Sequence, residues 1–131
     1  MTGGSETKYI KALVEKANEL GYCSVCLNSR GINSEMTSPI PFVGFEFHEL
    51  ETSIKRIKAL YPSNRLYFIG TSLGGNYILR YILSKVKVEN LNGMALISPP
   101  FDVKYVIDGM NMHYQKFFIK SYIKHTILKH K

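Results

Sequence analysis

Apolar residues in the first hundred positions follow two alternating patterns, a helical spacing and short continuous runs. Between residues 10 and 20 they recur every three or four positions, which predicts an amphipathic helix. Ser5 is a suitable N-cap for this helix, and Gly21 is a stop signal directly after it. The apolar run over residues 22–27 then predicts a short buried strand.

The same alternation continues along the chain. Further helices are predicted over residues 46–60 and from the turn 70–75 to about residue 86, further strands over residues 65–69 and 93–98, and a long surface loop over residues 28–44. The inward faces of these two helices are expected to carry Leu50, Ile54, Ile57, Ile78, Leu79, Ile82 and Leu83. Strands joined through helices favour an α/β fold, with a mostly parallel sheet and helices on both faces.

The last thirty residues depart from this alternation, because aromatic and aliphatic residues are interleaved with lysines. Residues 1–103 carry 11 basic and 9 acidic side chains, whereas residues 104–131 carry 6 lysines and a single acid, Asp108. The spacing predicts one or two amphipathic helices. Two interpretations of them remain open, an ordinary helix packed on the sheet and a lid or surface helix that faces a membrane.

Length and composition narrow the class of protein. The chain has 131 residues, 45% of them apolar and 21% charged, which fits one modest globular domain. No apolar run approaches the roughly 18 residues of a membrane span. The lysines of the tail are spaced out and form no continuous basic run, so no nucleic-acid partner is expected. The sequence leaves the compartment open.

Cys23 and Cys26 form a Cys-x-x-Cys, a spacing found in redox motifs and in half of a zinc site. Residues three apart on a strand point to opposite faces, whereas a redox pair sits at a helix N-terminus. No second Cys or His pair follows at zinc spacing. The two cysteines are therefore interpreted as small buried hydrophobic residues.

The motif with the clearest chemistry is Gly-x-Ser-x-Gly at residues 70–74, between a predicted strand and a predicted helix. This context indicates a nucleophile elbow, in which Ser72 holds a strained conformation at the helix N-terminus. Side chains at Gly70 or Gly74 are expected to collide with neighbouring backbone, and Gly75 completes the turn. The Leu73 N–H and the helix dipole are placed to stabilise an oxyanion. The alternative is a glycine-rich turn with an idle serine; no Gly-Lys-Ser/Thr follows to make a phosphate loop.

Four stretches of sequence, in the same order, match a known superfamily. They are Thr-Gly-Gly-Ser at residues 2–5, Asn-Ser-Arg-Gly at 28–31, Tyr-Pro at 61–62 with Gly-Thr-Ser-Leu-Gly-Gly-Asn at 70–76, and Ser-Pro-Pro-Phe-Asp at 98–102. Through them the chain resembles the α/β-hydrolase superfamily, in particular its ABHD-type branch of membrane-associated lipid esterases. Members of that branch act on medium-chain esters, acylglycerols and phospholipids, and have bacterial and yeast relatives.

The resemblance implies a serine carboxylic ester hydrolase in which Ser72 attacks an ester carbonyl and the Leu73 N–H contacts the oxyanion. The second oxyanion contact comes, in the family, from the residue whose place Met1 occupies here. Residues 1–103 would then be the central part of the hydrolase core and residues 104–131 the start of the cap. A small lipid or ester substrate is expected, with membrane contact through the basic tail and without any cofactor or metal.

Two members of the catalytic triad are not assigned within this chain. In the fold the order is nucleophile, acid, histidine, and in the resembled branch both partners lie beyond residue 131. His48 lies on a predicted helix before Ser72, and surface or lid positions are expected for the three histidines of the tail, His113, His125 and His130. Asp102 falls where some lipases place their acid, but in the resembled branch it opens the cap, so a structural role is expected.

The resemblance also predicts a strand before Thr2, lying between the strands at residues 22–27 and 65–69. Without it both strands would lose a parallel partner and leave unpaired backbone groups. The chain is therefore interpreted as a fragment of a larger hydrolase, with little turnover by itself.

Two other functions remain open. One is a non-catalytic module that binds a membrane or a partner through residues 104–131, and the other is a thioesterase or an amidase on the same fold.

Overall fold

The computed structural model describes residues 3–33, 42, 44, 46–85, 88, 91–109 and 112–126. The chain divides into two compact units, one formed by Met1–Val43 with Lys116–Lys131 and the other by Gly44–Gln115. Each unit is described by itself.

The unit Gly44–Gln115 contains two parallel strands, β1 (Leu66–Thr71) and β2 (Leu91–Ile97). Residues 67–71 of β1 pair with residues 93–97 of β2, and Asn92 is the extra residue of a bulge near the start of the ladder. The connection between the strands contains a helix, as parallel neighbours require. This arrangement confirms the α/β class and the parallel pairing of the strands predicted at 65–69 and 93–98.

The helices of this unit begin and end close to their predicted positions. The helix predicted at 46–60 spans His48–Leu60, the one after the turn spans Leu73–Leu83, and a short helix follows at Val103–Gly109. In chain order with the N-terminal helix described below, these are α2, α3 and α4. The Tyr61 carbonyl accepts a hydrogen bond from the Asn64 N–H at 3.2 Å, which closes the turn that ends α2.

The core of this unit is small and largely aromatic. Its buried apolar side chains are Leu50, Ile54, Phe68, Tyr77 and Tyr81. The predicted inward face of α2 is confirmed at Leu50 and Ile54, but that of α3 is wrong at Leu83, which is 76% exposed.

The inward face of α3 is set by two tyrosines. The Tyr77 and Tyr81 rings both lie 5.4 Å from the Phe47 ring, centroid to centroid. Each ring removes more surface from water than a leucine does, so the helix turns its tyrosines inward and leaves Leu83 outside.

Polar contacts join α3 to the chain before α2. The Tyr77 hydroxyl donates to the Glu46 carbonyl at 2.7 Å, and Arg80 Nη1 donates to the Gly44 carbonyl at 2.9 Å. Lys85 Nζ lies 2.6 Å from Glu51 Oε1. Their hydrogen bond lowers the pKa of the Glu51 carboxyl and raises that of the Lys85 ammonium, and burial raises the pKa of the Tyr81 phenol.

The other unit contains the N-terminal helix α1 (Lys8–Glu19). The Tyr22 N–H donates to the Ala17 carbonyl and the Gly21 N–H to the Asn18 carbonyl, the two bonds of a Schellman motif. Gly21 has φ 82°, so the predicted stop signal is confirmed. The predicted N-cap is wrong, because Thr7 occupies that position and the Ser5 N–H and hydroxyl are engaged by Asn28.

Residues 22–27 form no strand, which contradicts the prediction. A strand requires a ladder with a neighbour, and none of the described residues provides one for this segment. Tyr22, Val25 and Leu27 are therefore 53%, 60% and 45% exposed. The interpretation of Cys23 and Cys26 as buried is wrong for the same reason, because both are free thiols on the exposed segment.

The tail is helical, as predicted, in α4 and in α5 (Met112–Thr126), which runs from one unit into the other. Several large apolar side chains in and just before these helices are well exposed: Phe101, Tyr105, Met112, Tyr114 and Phe117. Among the residues described, no helix is both long and apolar enough to span a bilayer.

Candidate active site

Ser72 is the single residue between β1, which ends at Thr71, and α3, which begins at Leu73. Its backbone has φ 52° and ψ −125°, a region that residues with a side chain rarely adopt. The residue is exposed at the surface of its unit. The predicted strand, sharp turn and helix are thus all present, and the serine itself holds the strained conformation.

Two glycines allow the turn to close, Gly70 as predicted and Gly75 in place of Gly74. A Cβ on Gly70 would lie 2.7 Å from the Gly75 Cα, and a Cβ on Gly75 would lie 3.0 Å from the Gly70 carbonyl oxygen. A Cβ on Gly74 would meet nothing within 4 Å, so the predicted collision at this position is wrong. Gly74 lies on the open side of the first turn of α3, whereas Gly75 lies against β1.

The N-terminus of α3 lies directly after Ser72. The Gly75 and Asn76 N–H groups both donate to the Ser72 carbonyl, at 3.0 and 3.2 Å. Leu73 is the first residue of the helix, so its N–H has no intrahelical acceptor. The aligned peptide dipoles make this end of the helix positive. An anion beside Ser72 would therefore meet a backbone donor and a favourable field.

The end of β2 fixes the other side of the turn. The Ser72 N–H donates to the Ile97 carbonyl at 2.9 Å, which extends the β1–β2 ladder to the serine. Ser98 then has φ 49°, a second strained residue next to the first. Pro99 follows and lies beside Gly75. A Cβ added to Gly75 would lie 3.1 Å from the Pro99 Cβ.

Asn76 is a residue that the sequence analysis did not single out. It is 5% exposed and is the only polar side chain classed as buried in the part of the chain that the structure describes. Its Nδ2 donates to the Pro100 carbonyl at 2.7 Å. The sequence offers one signal for it, a polar residue in the first turn of a mostly apolar helix.

Asp102 has the structural role expected of it. Its Oδ1 accepts the Tyr105 N–H at 2.9 Å, which caps the N-terminus of α4. His48 and His113 are exposed. The side chain of His125 and the whole of His130 lie outside the described residues. The structure therefore adds no role for these two.

Met1, predicted to occupy the place of the second oxyanion contact, lies outside the described residues. The segment just after it is held by Asn28. Asn28 Oδ1 accepts the Ser5 N–H at 2.8 Å, and its Nδ2 donates to the Ser5 hydroxyl at 3.1 Å. A Cβ on Gly4 would lie within 2.8 Å of the Asn28 Oδ1, so the glycine allows this close approach.

Metal and cofactor sites were predicted to be absent. Within the described ranges, no three His, Cys, Asp or Glu side chains are grouped so that they could hold an ion. Cys23 and Cys26 are the only cysteines of the chain, and both are free.

The fold is that of an α/β protein, with a parallel β1–β2 pair and a helix packed on it. A strained serine lies at the turn from strand to helix. The family comparison gives the same class. Residues 2–126 match the family model for the alpha/beta hydrolase fold. The chain belongs to the α/β-hydrolase family.

Among curated proteins, the phospholipase ABHD3 of Homo sapiens is 35% identical over 63% of this chain and 20% of its own length. The monoacylglycerol lipase ABHD2 of Mus musculus is 38% identical over 60% of the chain and 19% of its own length. The embryogenesis-associated protein EMB8 of Picea glauca is 28% identical over 98% of the chain and 30% of its own length. The chain thus spans less than a third of the length of each of these three relatives. The ABHD-type branch, to which the first two belong by name, is the one that the motifs indicated. No solved structure matches the chain.

Proposed function

We propose that the native polypeptide is a serine hydrolase of carboxylic esters with Ser72 as the nucleophile. The observation that carries the proposal is the backbone of Ser72, strained at φ 52° on the single residue between β1 and α3. Such strain persists only where the surrounding structure enforces it, and it is typical of a nucleophile elbow. The named relatives, a phospholipase and a monoacylglycerol lipase, support a lipid-like ester as substrate.

The proposed reaction has two steps. The Ser72 hydroxyl oxygen attacks the ester carbonyl carbon while its proton passes to a general base, and the alcohol leaves with a proton to give an acyl-serine. Water then attacks the acyl-serine, releasing the acid and restoring the hydroxyl. The Leu73 N–H, at the positive end of α3, stabilises the oxyanion in both steps. The base and its acid remain predicted beyond residue 131, and Met1 remains the predicted source of the second oxyanion contact.

The test is covalent labelling of the native polypeptide by a fluorophosphonate probe. Labelling is expected in the unmodified protein and in Ser63→Ala, a matched control in the exposed turn before β1. Ser72→Ala is expected to abolish it, because no other residue of the turn carries a nucleophile at this strained position. Labelling that survives Ser72→Ala, with the label mapped elsewhere, contradicts the proposal.

A second candidate function is contact with an anionic membrane surface through the tail. Tyr114 and Phe117 are 64% and 66% exposed on α5, and the neighbouring Lys116 and Lys120 are exposed as well. Apolar rings enter the headgroup region while ammonium groups meet anionic lipid. Each lysine near such a surface is worth about 1 kcal/mol.

Co-sedimentation with vesicles tests this contact. The protein is expected to sediment with vesicles containing phosphatidylserine and not with phosphatidylcholine alone. Changing both Lys116 and Lys120 to Gln should weaken sedimentation by roughly thirtyfold, from about 2 kcal/mol. A control with Lys8 and Lys55 changed to Gln removes the same charge from α1 and α2. Equal sedimentation with both vesicle types, or equal losses in both variants, contradicts the contact.

A further inference from the structure

Asn76 lies between the serine turn and the loop that leaves β2. Its backbone N–H donates to the Ser72 carbonyl at 3.2 Å, while its side-chain Nδ2 donates to the Pro100 carbonyl at 2.7 Å. One residue therefore joins the strained serine to the loop three residues after the ladder ends.

Backbone hydrogen bonds donated by the two prolines cannot fix the loop 98–100 in place. Pro99 and Pro100 have no backbone N–H, so neither can donate a hydrogen bond to β1 or α3. Ser98 has φ 49° and directs the chain out of the ladder, over the first turn of α3. The Pro99 side chain lies beside Gly75, where an added Cβ would be 3.1 Å from the proline Cβ, and such apolar packing has no directional preference. The Asn76 amide is then the group that fixes how far the loop stands from the helix.

The burial of Asn76 makes the loss of this hydrogen bond costly. The side chain is 5% exposed, so water does not replace the lost partner when the amide donor is removed. The Ser72 N–H is bonded to the Ile97 carbonyl, one residue before the strained Ser98. Movement of the loop would therefore displace the peptide group between Ile97 and Ser98, whose carbonyl accepts the Ser72 N–H.

We propose that Asn76 is a positioning residue for Ser72, acting through the hydrogen bond from its side chain to the Pro100 carbonyl. This inference rests on the proposed function, because it assigns Asn76 a part in the reactivity of Ser72. Asn76 touches no reacting atom itself. It keeps the loop 98–100 against α3 and so keeps the Ser72 backbone in its strained conformation.

The test uses two substitutions that remove the side-chain donor, one that keeps the shape of the side chain and one that truncates it. Asn76→Asp keeps the shape but replaces the NH₂ by an oxygen that, when ionised, faces the Pro100 carbonyl with no proton to donate. Asn76→Ala removes the group altogether. Asn92→Asp is the control, since it makes the same chemical change at an exposed residue of β2. All are made in the native polypeptide, and fluorophosphonate labelling of Ser72 is measured per folded molecule, well below the melting temperature.

At pH 8 we expect labelling to slow about tenfold in Asn76→Ala and further in Asn76→Asp, while Asn92→Asp matches the unmodified protein. A buried carboxyl titrates above its ordinary range, and its protonated form can donate to a carbonyl. The deficit of Asn76→Asp relative to the unmodified protein should therefore shrink as the pH falls, while that of Asn76→Ala stays constant. A purely structural role would lower the melting temperature and leave the labelling rate per folded molecule unchanged, which overturns the proposal.

Hydrogen exchange separates this proposal from the proposed function. Exchange of the Ser72 N–H is expected to accelerate about tenfold in both Asn76 variants and not in Asn92→Asp. If that exchange is unchanged, the positioning role is wrong whatever the labelling shows. If the unmodified protein is not labelled at all, the proposed function fails, and the role of Asn76 in holding the Ser72 turn is decided by exchange alone.

Discussion

β1 and the segment 22–27 are both short apolar runs that follow a helix and a turn, yet only β1 becomes a strand. β1 pairs with β2 and is covered on one face by α3, so Phe68 is only 9% exposed. The segment 22–27 forms no ladder, and Val25 is 60% exposed. An apolar run therefore specifies a surface that needs covering, and the neighbour that covers it decides whether a strand forms.

The largest expected difference between these two regions comes from truncating one side chain in each. Phe68→Ala should lower the free energy of unfolding by about 3–5 kcal/mol, because it leaves a cavity beneath α3. Val25→Ala should change it by less than about 0.5 kcal/mol, because the valine is already largely in water. Urea unfolding of both variants measures the two values. A loss at Val25 as large as that at Phe68 would mean that the segment 22–27 is packed after all.

The next effect concerns the backbone contact that closes the turn after β1. Gly70→Ala should cost about 1–3 kcal/mol of unfolding free energy, since its Cβ would lie 2.7 Å from the Gly75 Cα. Gly74→Ala is the matched control and should be neutral or slightly stabilising, because the space around it is open and alanine favours a helix. Thermal unfolding of the two variants gives the ranking. Equal costs at the two glycines would show that the turn does not depend on close backbone approach.

A smaller effect is expected at the start of the segment 22–27. Gly21→Ala should cost about 1 kcal/mol, because φ 82° is unfavourable for a residue with a Cβ although nothing lies near enough to collide. Gly21→Asn should recover part of the loss, since asparagine tolerates this conformation. The loss of α1 helicity on heating, followed by circular dichroism, is the measurement. Full stability of the alanine variant would show that the Schellman motif does not determine where α1 ends.

The smallest effect is that of the ion pair between Glu51 and Lys85, which braces α2 against the end of α3. Because the pKa of Glu51 is lowered in the folded protein, its contribution is present above the ordinary value of 4.5 and is lost as the pH falls through the folded value. Because the pKa of Lys85 is raised, its contribution is present below 10.5 and is lost as the pH rises through the folded value.

Glu51→Gln should therefore be slightly less stable than the unmodified protein near pH 7, with the difference shrinking as the pH falls below 4.5 and through the lowered pKa of Glu51 in the folded protein. Urea midpoints at several pH values measure this, and Glu15→Gln on exposed α1 is the control. A difference that does not shrink at all between pH 7 and the acid end of the series would exclude the ion pair as its cause.

The sequence was most informative where a local rule decides the structure. Gly21 ends α1 because its backbone adopts the required φ without the strain that a Cβ adds, and Leu50 and Ile54 face inward because α2 is amphipathic. The strand, turn and helix around Ser72 could be predicted for the same reason. Each of these features depends on residues close together in the chain.

The failures at Leu83, Ser5 and Asn76 depend on partners distant in the chain, whereas the one at Gly74 depends on the direction in which the first turn of α3 leaves the strand. The residue that lies against β1 and must lack a Cβ is Gly75, not Gly74. Leu83 is outside because Tyr77 and Tyr81 reach Phe47 across the unit. Ser5 fails as an N-cap because Asn28, 23 residues later, takes its N–H and hydroxyl. Asn76 was missed because its acceptor lies 24 residues away.

The contact between Gly70 and Gly75 also restricts which amino-acid substitutions these two positions can accept during evolution. Each glycine occupies the space into which the other would place a Cβ, and a Cβ at either position would meet backbone atoms of the other. A substitution at one cannot be compensated by a smaller residue at the other, because both are already the smallest. Substitutions at either Gly70 or Gly75 are therefore expected to be selected against, whereas packing places no such restriction on Gly74, which lies between them.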